Sequence, residues 1–171
     1  MSSEQSEAGS IPAEESAIAE EIPITPRLIG TSMTGGLVGM VLMLPLLAGI
    51  PIVLDVFRTE PILEFASFAT IVGLEPSLIA GMALFGLGGT LFLPVQFLVV
   101  GAFLPPDSPR FLRGVSFALI YWIGFMLAFW PGGSLLAIGL FILVSFLSHV
   151  MYGLSLGYLT DRWAEIPQHA V

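Results

Sequence analysis

The sequence predicts an all-α fold, a bundle of four membrane-spanning helices, and three observations support this prediction. Four apolar stretches lie at about residues 28–54, 76–104, 111–130 and 134–159. About 20 mostly apolar residues are enough to cross the hydrocarbon core of a bilayer. Mean hydropathy is +0.94 and Asp, Glu, Lys and Arg together make up 11% of the chain. In lipid, backbone hydrogen bonds must close within helices, so these stretches are expected to be helical.

The first 26 residues form an acidic segment that is expected to be a disordered cytoplasmic tail. It is rich in Ser, Ala, Pro and Glu and cannot bury enough apolar surface to fold alone. Docking of this segment onto a partner is the alternative. A secretory signal would begin with a basic region, so span one is predicted to be permanent. Residues 164–171 are expected to form a short C-terminal tail.

The stretch between spans one and two is too short to cross the membrane and too apolar for water. Its central part, Pro61–Val72, predicts a helix that lies in the membrane interface. Two roles are open for this helix, a lid over the end of the bundle or a gate over a lateral opening. Within the neighbouring spans, Pro45 and Pro94 each follow a glycine by six residues. This spacing indicates either two kinked helices or a faint internal duplication.

The two remaining connections are rich in proline and glycine. Pro105–Pro109 ends span two, and Ser108 followed by Pro109 predicts the cap and first residue of span three. Residues 131–134, with the sequence PGGS, predict a tight turn in which Ser134 caps span four.

The arginines predict how the chain crosses the membrane. Four of the five lie on the side shared by both termini and the loop after span two, and Arg58 alone lies on the other side. Basic flanks of short loops stay cytoplasmic. The protein is therefore predicted to be a multi-pass protein of the cell membrane with both termini in the cytoplasm. The four arginines on the terminal side are Arg27, Arg110, Arg113 and Arg162.

Composition excludes several kinds of chemistry. The formal net charge is -8 with no lysine, which argues against a nucleic-acid partner because that role needs a basic face. The chain has no cysteine, which excludes disulfides and thiolate sites. No nucleophile–base pair is recognisable in the spans. We therefore expect a non-enzymatic protein.

Small residues at helical spacing predict close packing between the spans. Membrane helices associate through van der Waals contact, which glycine permits at short range. The pattern is clearest in span four, where small residues recur at multiples of four. The glycines predicted to pack helices are Gly35, Gly39, Gly86, Gly89, Gly153 and Gly157.

Three polar side chains lie deep in the predicted spans and are expected to form one cluster. At 1.5 Å per residue, Gln96, His149 and Tyr121 lie about 12, 15 and 16 Å from the cytoplasmic ends of their helices. Polar groups at this depth tend to face protein or a cavity. They are predicted either to bond to one another and fix the helix register, or to serve a function.

His149 is the side chain in this cluster with the widest chemistry. A neutral imidazole can accept a proton or bind haem or a metal. No second histidine, cysteine or carboxylate shares its depth, so no cofactor and no metal site are predicted. Haem bound at His149 remains an alternative, which would require a second ligand from a partner subunit.

Three segments carry a resemblance to a known family. They are Gly30–Gly36 (GTSMTGG), Gly86–Pro94 and Ser148–Gly157 (SHVMYGLSLG). Together they resemble an uncharacterised family of small four-span membrane proteins that is widespread in halophilic archaea. The similarity covers about residues 28–160. The resemblance implies the four-span fold, and the family carries no established activity to transfer.

Three functions remain open on these observations. The first is an assembly or accessory subunit of a larger membrane complex, with respiratory complexes as one candidate, or a homo-oligomer. The second is a small oligomeric transporter or channel with Gln96, Tyr121 and His149 along its path. The third is a membrane-embedded haem or proton-handling protein centred on His149.

Overall fold

The computed structural model describes residues 24–54 and 59–166, which form five helices and the loops between them, with no strand in these ranges. The five helices are α1 (Pro26–Val53), α2 (60–72), α3 (Leu78–Phe103), α4 (Leu112–Ala128) and α5 (Leu135–Ala164). The acidic tail predicted at residues 1–26 and the C-terminal tail lie mostly outside the described residues, and so does Arg58. The all-α prediction is confirmed.

Three helices, α1, α3 and α5, are long and apolar enough to cross a membrane, which supports a membrane protein. The fourth, α4, has 17 residues and a length of about 26 Å, slightly less than a hydrocarbon core of about 30 Å. The helix α5 continues five residues beyond its predicted end at Leu159. Its last turn, which contains Asp161 and Arg162, is polar, so the apolar run ended before the helix did.

Short polar side chains cap the starts of the three longest helices, α1, α3 and α5. The hydroxyls of Thr25, Ser77 and Ser134 each accept a hydrogen bond from a backbone N–H in the first turn of α1, α3 and α5, at 3.1, 3.1 and 3.3 Å. These bonds satisfy donors that a helix leaves free at its start. The prediction for Ser134 is confirmed.

The predicted cap of α4 at Ser108 is wrong, although the helix begins within one residue of the span expected at 111–130. The helix begins at Leu112 and no side chain caps it. Residues 109–111 form a separate turn, closed by a 3.1 Å bond from the Leu112 N–H to the Pro109 carbonyl. Ser108 therefore lies too far from the helix to reach its first N–H groups.

The four long helices run antiparallel to their neighbours. Gly35 of α1 lies against Leu156 of α5, and Gly39 lies against Tyr152. Residue numbers therefore rise along α1 in the direction in which they fall along α5. The same relation joins α1 to α3, α4 to α5 and α3 to α4. The ends of α3 and α5 therefore lie together with the starts of α1 and α4. We call this the Arg end, because Arg27, Arg110, Arg113 and Arg162 lie there.

Two of the helices contain a π turn next to proline. Residues Pro45–Gly49 of α1 and Gly88–Phe92 of α3 have the wider turn, and Pro51 and Pro94 follow each turn by two residues. A proline cannot donate the backbone hydrogen bond that would continue the turn. Of the two prolines predicted to kink their helices, Pro45 is the first residue of one π turn and Pro94 follows the other.

The connecting helix α2 packs on α3 at the end opposite the Arg end. Ala66 and Ala69 are fully buried, and a Cβ on Gly81 of α3 would meet the Ile62 side chain at 2.9 Å. The opposite face of α2 is apolar and exposed, with Phe68 57% and Ile71 79% exposed. The structure thus shows a helix with one face on the bundle and one apolar face outward.

The core lies toward the Arg end. The rings of Phe97 and Phe117 are buried with a centroid separation of 5.4 Å, and Leu156 is buried beside them. Ile166 also belongs to this core, because the chain turns back after α5 at Glu165, whose φ is 59°. Of the C-terminal tail predicted at 164–171, Ala164 therefore belongs to α5 and Ile166 packs into the bundle.

Candidate functional site

The glycines of α1 bring its backbone onto α5. A Cβ on Gly35 would lie 3.1 Å from the Leu156 Cα and carbonyl oxygen. A Cβ on Gly39 would lie 2.8 Å from the Tyr152 ring and 3.1 Å from its Cα. Such spacing is possible because glycine has no side chain. Both glycines therefore pack helices, as their spacing in the sequence predicts.

A second glycine interface joins α4 to α5. A Cβ on Gly153 would lie 2.5 Å from the Gly114 carbonyl and 2.8 Å from the Ala118 Cβ, while Gly157 lies against the Phe111 carbonyl. Gly114 and Ala118 are four residues apart in α4 and form the partner surface. Gly114 and Ala118 were not predicted to pack helices, although their four-residue spacing is the small-residue pattern seen in the other spans.

The third close contact joins α1 to α3. Gly36 packs against Pro94 and the carbonyl of Gly89, and Gly89 packs against the side chain of Met40. Gly89 therefore faces the bundle, whereas a Cβ on Gly86 would meet no atom within 4 Å. Gly86 was predicted to pack helices, and the structure shows no close contact between helices at its position.

Polar groups next to Pro94 compensate for the donor that this proline lacks. In the π turn, the Leu93 N–H bonds to the carbonyl of Gly88, five residues earlier. The donor for the next carbonyl, that of Gly89, would be residue 94, which is a proline. Its missing N–H would leave the Gly89 carbonyl free. The Tyr152 hydroxyl of α5 donates to that carbonyl at 2.6 Å, and the Ser32 hydroxyl of α1 donates to the Pro94 carbonyl at 2.9 Å. Three helices thus meet at one irregular turn.

The structure brings two of the three predicted polar side chains together. The Tyr121 hydroxyl of α4 donates a hydrogen bond to the Gln96 side-chain oxygen of α3. The Tyr121 ring also packs against Phe117, with a centroid separation of 4.9 Å. The hydrogen bond therefore joins α3 to α4.

His149 lies elsewhere, on the face of α5 that is directed toward α4. Its Nδ1 is 2.8 Å from the Ser145 carbonyl, and its ring lies 5.0 Å from the ring of Phe125. Because a carbonyl can only accept, Nδ1 carries the proton and Nε2 has the free lone pair. No described residue forms a hydrogen bond with Nε2. In the described residues, His149 also forms no hydrogen bond with Gln96 or Tyr121.

Neighbouring polar groups complete the interface between α4 and α5. The indole N–H of Trp122 donates to the Ser145 hydroxyl at 3.0 Å, and the Ser148 hydroxyl donates to the Ser145 carbonyl at 2.9 Å. In the described part of the chain, every side-chain nitrogen and oxygen atom that is itself fully shielded from solvent has a hydrogen-bond partner. The interior is therefore a set of local bonds between adjacent helices.

Arg113 has a structural role that was not predicted, because its position in the sequence indicated only how the chain crosses the membrane. Its side chain is buried and donates to the carbonyls of Pro106 and Ala102 at 3.0 and 3.2 Å. A third bond, 3.3 Å long, joins it to the exposed carboxylate of Asp107. The free carbonyls at the end of α3 attract a cation. The guanidinium therefore joins the end of α3 and the following loop to the start of α4.

No group of three His, Asp or Glu side chains in residues 24–54 and 59–166 could hold a metal ion.

A family model described as a family of unknown function (DUF6789) matches residues 26–171. The chain belongs to this family. The match begins at the first residue of α1 and includes every side chain of the interior described above. Comparisons with curated proteins and with solved structures gave no match.

Proposed function

We propose that this DUF6789 protein is a non-enzymatic membrane subunit that associates with a further membrane helix through α3. In this proposal all four long helices cross the cell membrane, α2 lies in the outer interface, and the Arg end with both termini is cytoplasmic. The arginine distribution supports that orientation. An origin in a halophilic archaeon stays an expectation from the resemblance of its sequence segments to a family of such proteins.

The outward face of α3 carries the assembly proposal. Gly86 has open space where a Cβ would be, and the residues one turn away on either side are Met82, Ala83, Gly89 and Thr90, three of which are small. The Thr90 hydroxyl bonds to the Gly86 carbonyl at 2.8 Å, so this polar group is already satisfied within the helix. A second helix could therefore approach the backbone here as closely as α1 approaches α5.

The test compares two glycines that are both open to the outside. Gly139 of α5 also has no atom within 4 Å of a Cβ, but its neighbours one turn away are Leu135, Leu136, Ile142 and Leu143. Large residues there keep another helix at a distance. Gly86→Leu should convert the native complex to a free monomer, whereas Gly139→Leu should leave it unchanged.

The complex would be sized in native-lipid nanodiscs by mass photometry and native mass spectrometry. A mass that is a multiple of 18.3 kDa indicates a homo-oligomer, and any other added mass indicates a larger complex. A monomeric wild-type protein in native lipid would contradict the proposal. An intact complex in Gly86→Leu would contradict the assignment of the face.

A proton- or ligand-binding role for His149 is the second candidate, and one observation favours it. The Ser145 carbonyl fixes the ring so that the Nε2 lone pair is free, which is how histidine ligands of metals are commonly held. Addition of haemin to the apoprotein should then give an absorption band at visible wavelengths that His149→Leu abolishes. Equal spectra for the two proteins would reject haem binding. The transporter alternative has less support, because Gln96 and Tyr121 bond to each other.

A further inference from the structure

A shallow groove lies on the outer surface of the bundle near the Arg end. Four residues line it: Phe111, Leu154, Ser155 and Tyr158. The rings of Phe111 and Tyr158 meet edge to face, with centroids 6.1 Å apart. The groove exists because the Phe111 carbonyl packs on Gly157, which draws the first residues of α4 against the last turns of α5.

The groove is apolar in its chemistry. Its one aliphatic hydroxyl, on Ser155, donates to the Met151 carbonyl of the same helix at 2.9 Å. Leu154 is 36% exposed and Tyr158 is 54% exposed, so these side chains face outward. In a bilayer this surface would contact lipid tails.

Residue types change in order along this face of α5. Leu154, Tyr158 and Arg162 are spaced by four residues, so they lie on one face over about 12 Å. The order is aliphatic, aromatic and cationic toward the Arg end, which matches the change from lipid tail to headgroup. Arg110 precedes Phe111 on the opposite wall, at the same end.

Arg110 adjoins the groove residue Phe111 in the chain, Arg162 follows Tyr158 by one turn, and neither arginine forms an ion pair with a described residue. Among the described residues, the ion pair given by the structure is between Arg113 and Asp107. Asp161 and Glu165 are near Arg162 in sequence, but neither forms an ion pair with it. A guanidinium binds phosphate with paired N–H donors, and basic sites between membrane helices are suited to anionic headgroups.

We infer that this groove binds one acyl chain of an anionic phospholipid, with the phosphate held by Arg110 and Arg162. The inference goes beyond the assembly proposal, because the site lies on α4 and α5 and not on the outward face of α3. Lipid binding and helix association can therefore fail separately.

The test is native mass spectrometry of the full-length protein with phosphatidylglycerol and phosphatidylcholine of identical acyl chains. The wild-type protein should retain phosphatidylglycerol preferentially. The double variant Arg110→Gln, Arg162→Gln should lower this retention about tenfold, to the level of phosphatidylcholine. Arg27→Gln, which removes a charge at the same end from the start of α1, should change little.

A second variant tests the groove itself without changing charge. Ser155→Trp should fill the groove and lower phosphatidylglycerol retention while the circular dichroism spectrum stays native. Equal retention of both lipids by the wild-type protein would overturn the inference. It would also be overturned if Arg27→Gln lowered retention as much as the double variant, or if Ser155→Trp with a native spectrum bound normally.

Discussion

The contact between Tyr152 and Gly89 shows how one side chain can offset a defect in a neighbouring helix. Pro94 supplies no N–H, and the Gly89 carbonyl lies near the middle of α3, a helix long and apolar enough to cross a membrane. The Tyr152 hydroxyl fills that position at 2.6 Å. An unpaired carbonyl in lipid is costly, so this bond allows α3 to keep a proline at its centre.

Removal of this hydroxyl should destabilise the bundle modestly. Tyr152→Phe should lower the free energy of unfolding by about 1 kcal/mol, since hydrogen bonds between membrane helices contribute at most about 1.7 kcal/mol. The measurement is equilibrium unfolding in mixed micelles of increasing SDS fraction. Tyr158→Phe, which removes an exposed hydroxyl, serves as the control and should have no effect. Equal stability of both variants would show that the Gly89 carbonyl does not depend on Tyr152.

Gly114 is the residue whose replacement should cost most. A Cβ there would lie 2.6 Å from the Gly157 nitrogen and 2.7 Å from its Cα, and these backbone atoms can move only if α4 and α5 separate. Gly114→Leu should therefore lower the free energy of unfolding by about 3 kcal/mol or more. Gly124→Leu, in the same helix with open space around it, is the matched control. A similar loss in both variants would contradict the interface.

The sequence predicted where helices occur better than which way their residues face. Spans expected at 28–54 and 76–104 correspond to Pro26–Val53 and Leu78–Phe103, because hydropathy and prolines mark these ends. Spacing identified Gly35, Gly39, Gly89, Gly153 and Gly157 as packing residues. Gly86 has the same spacing yet faces outward, since direction depends on how the helix is rotated against its neighbours.

The candidate site was less predictable for a similar reason. Depth along the helices placed Gln96, Tyr121 and His149 at one level, but depth carries no information on the side of the helix. Tyr121 faces α3 and bonds to Gln96, whereas His149 faces α4 near Phe125. The bond from Tyr152 to Gly89 could not be read from sequence either. The missing donor at Pro94 shows that a partner is needed, but it does not name the partner.

At the scale of whole elements, α2 is the helix that is predicted to lie in the membrane interface. Its two faces differ, with Ala66 and Ala69 on α3 and with Phe68 and Ile71 outward. Aromatic contacts extend this packing, because Phe65 lies 6.0 Å from Phe129 beyond the end of α4. The arrangement predicts a helix held at the edge of the bilayer with apolar side chains against lipid.

Spin labels can measure the depth of α2. Labels at Leu63, Phe68 and Ile71 should be accessible to oxygen and lie near the headgroup region. Labels at Glu60 and Glu64 should be accessible to a water-soluble relaxation agent. Uniform burial of all five labels at mid-bilayer depth would mean that α2 enters the membrane core and is not an interfacial helix.

For the whole molecule, the central claim is that four antiparallel helices cross the membrane with both termini on one side. The critical element is α4, because its 17 residues are fewer than the usual length of a spanning helix. Phe129 and Trp130 continue its apolar surface at one end and Phe111 at the other. Its close packing on α5 through Gly114 also holds it parallel to the bundle axis.

Side-specific labelling of single cysteines tests this claim directly, because the chain has no native cysteine. Cysteines at Ile24, Ser108 and Glu165 should react with a membrane-impermeant reagent from the cytoplasmic side of oriented vesicles. Cysteines at Glu75 and Leu135 should react from the opposite side. Labelling of Ser108 and Leu135 positions from the same side would show that α4 does not cross, and it would contradict the four-span bundle.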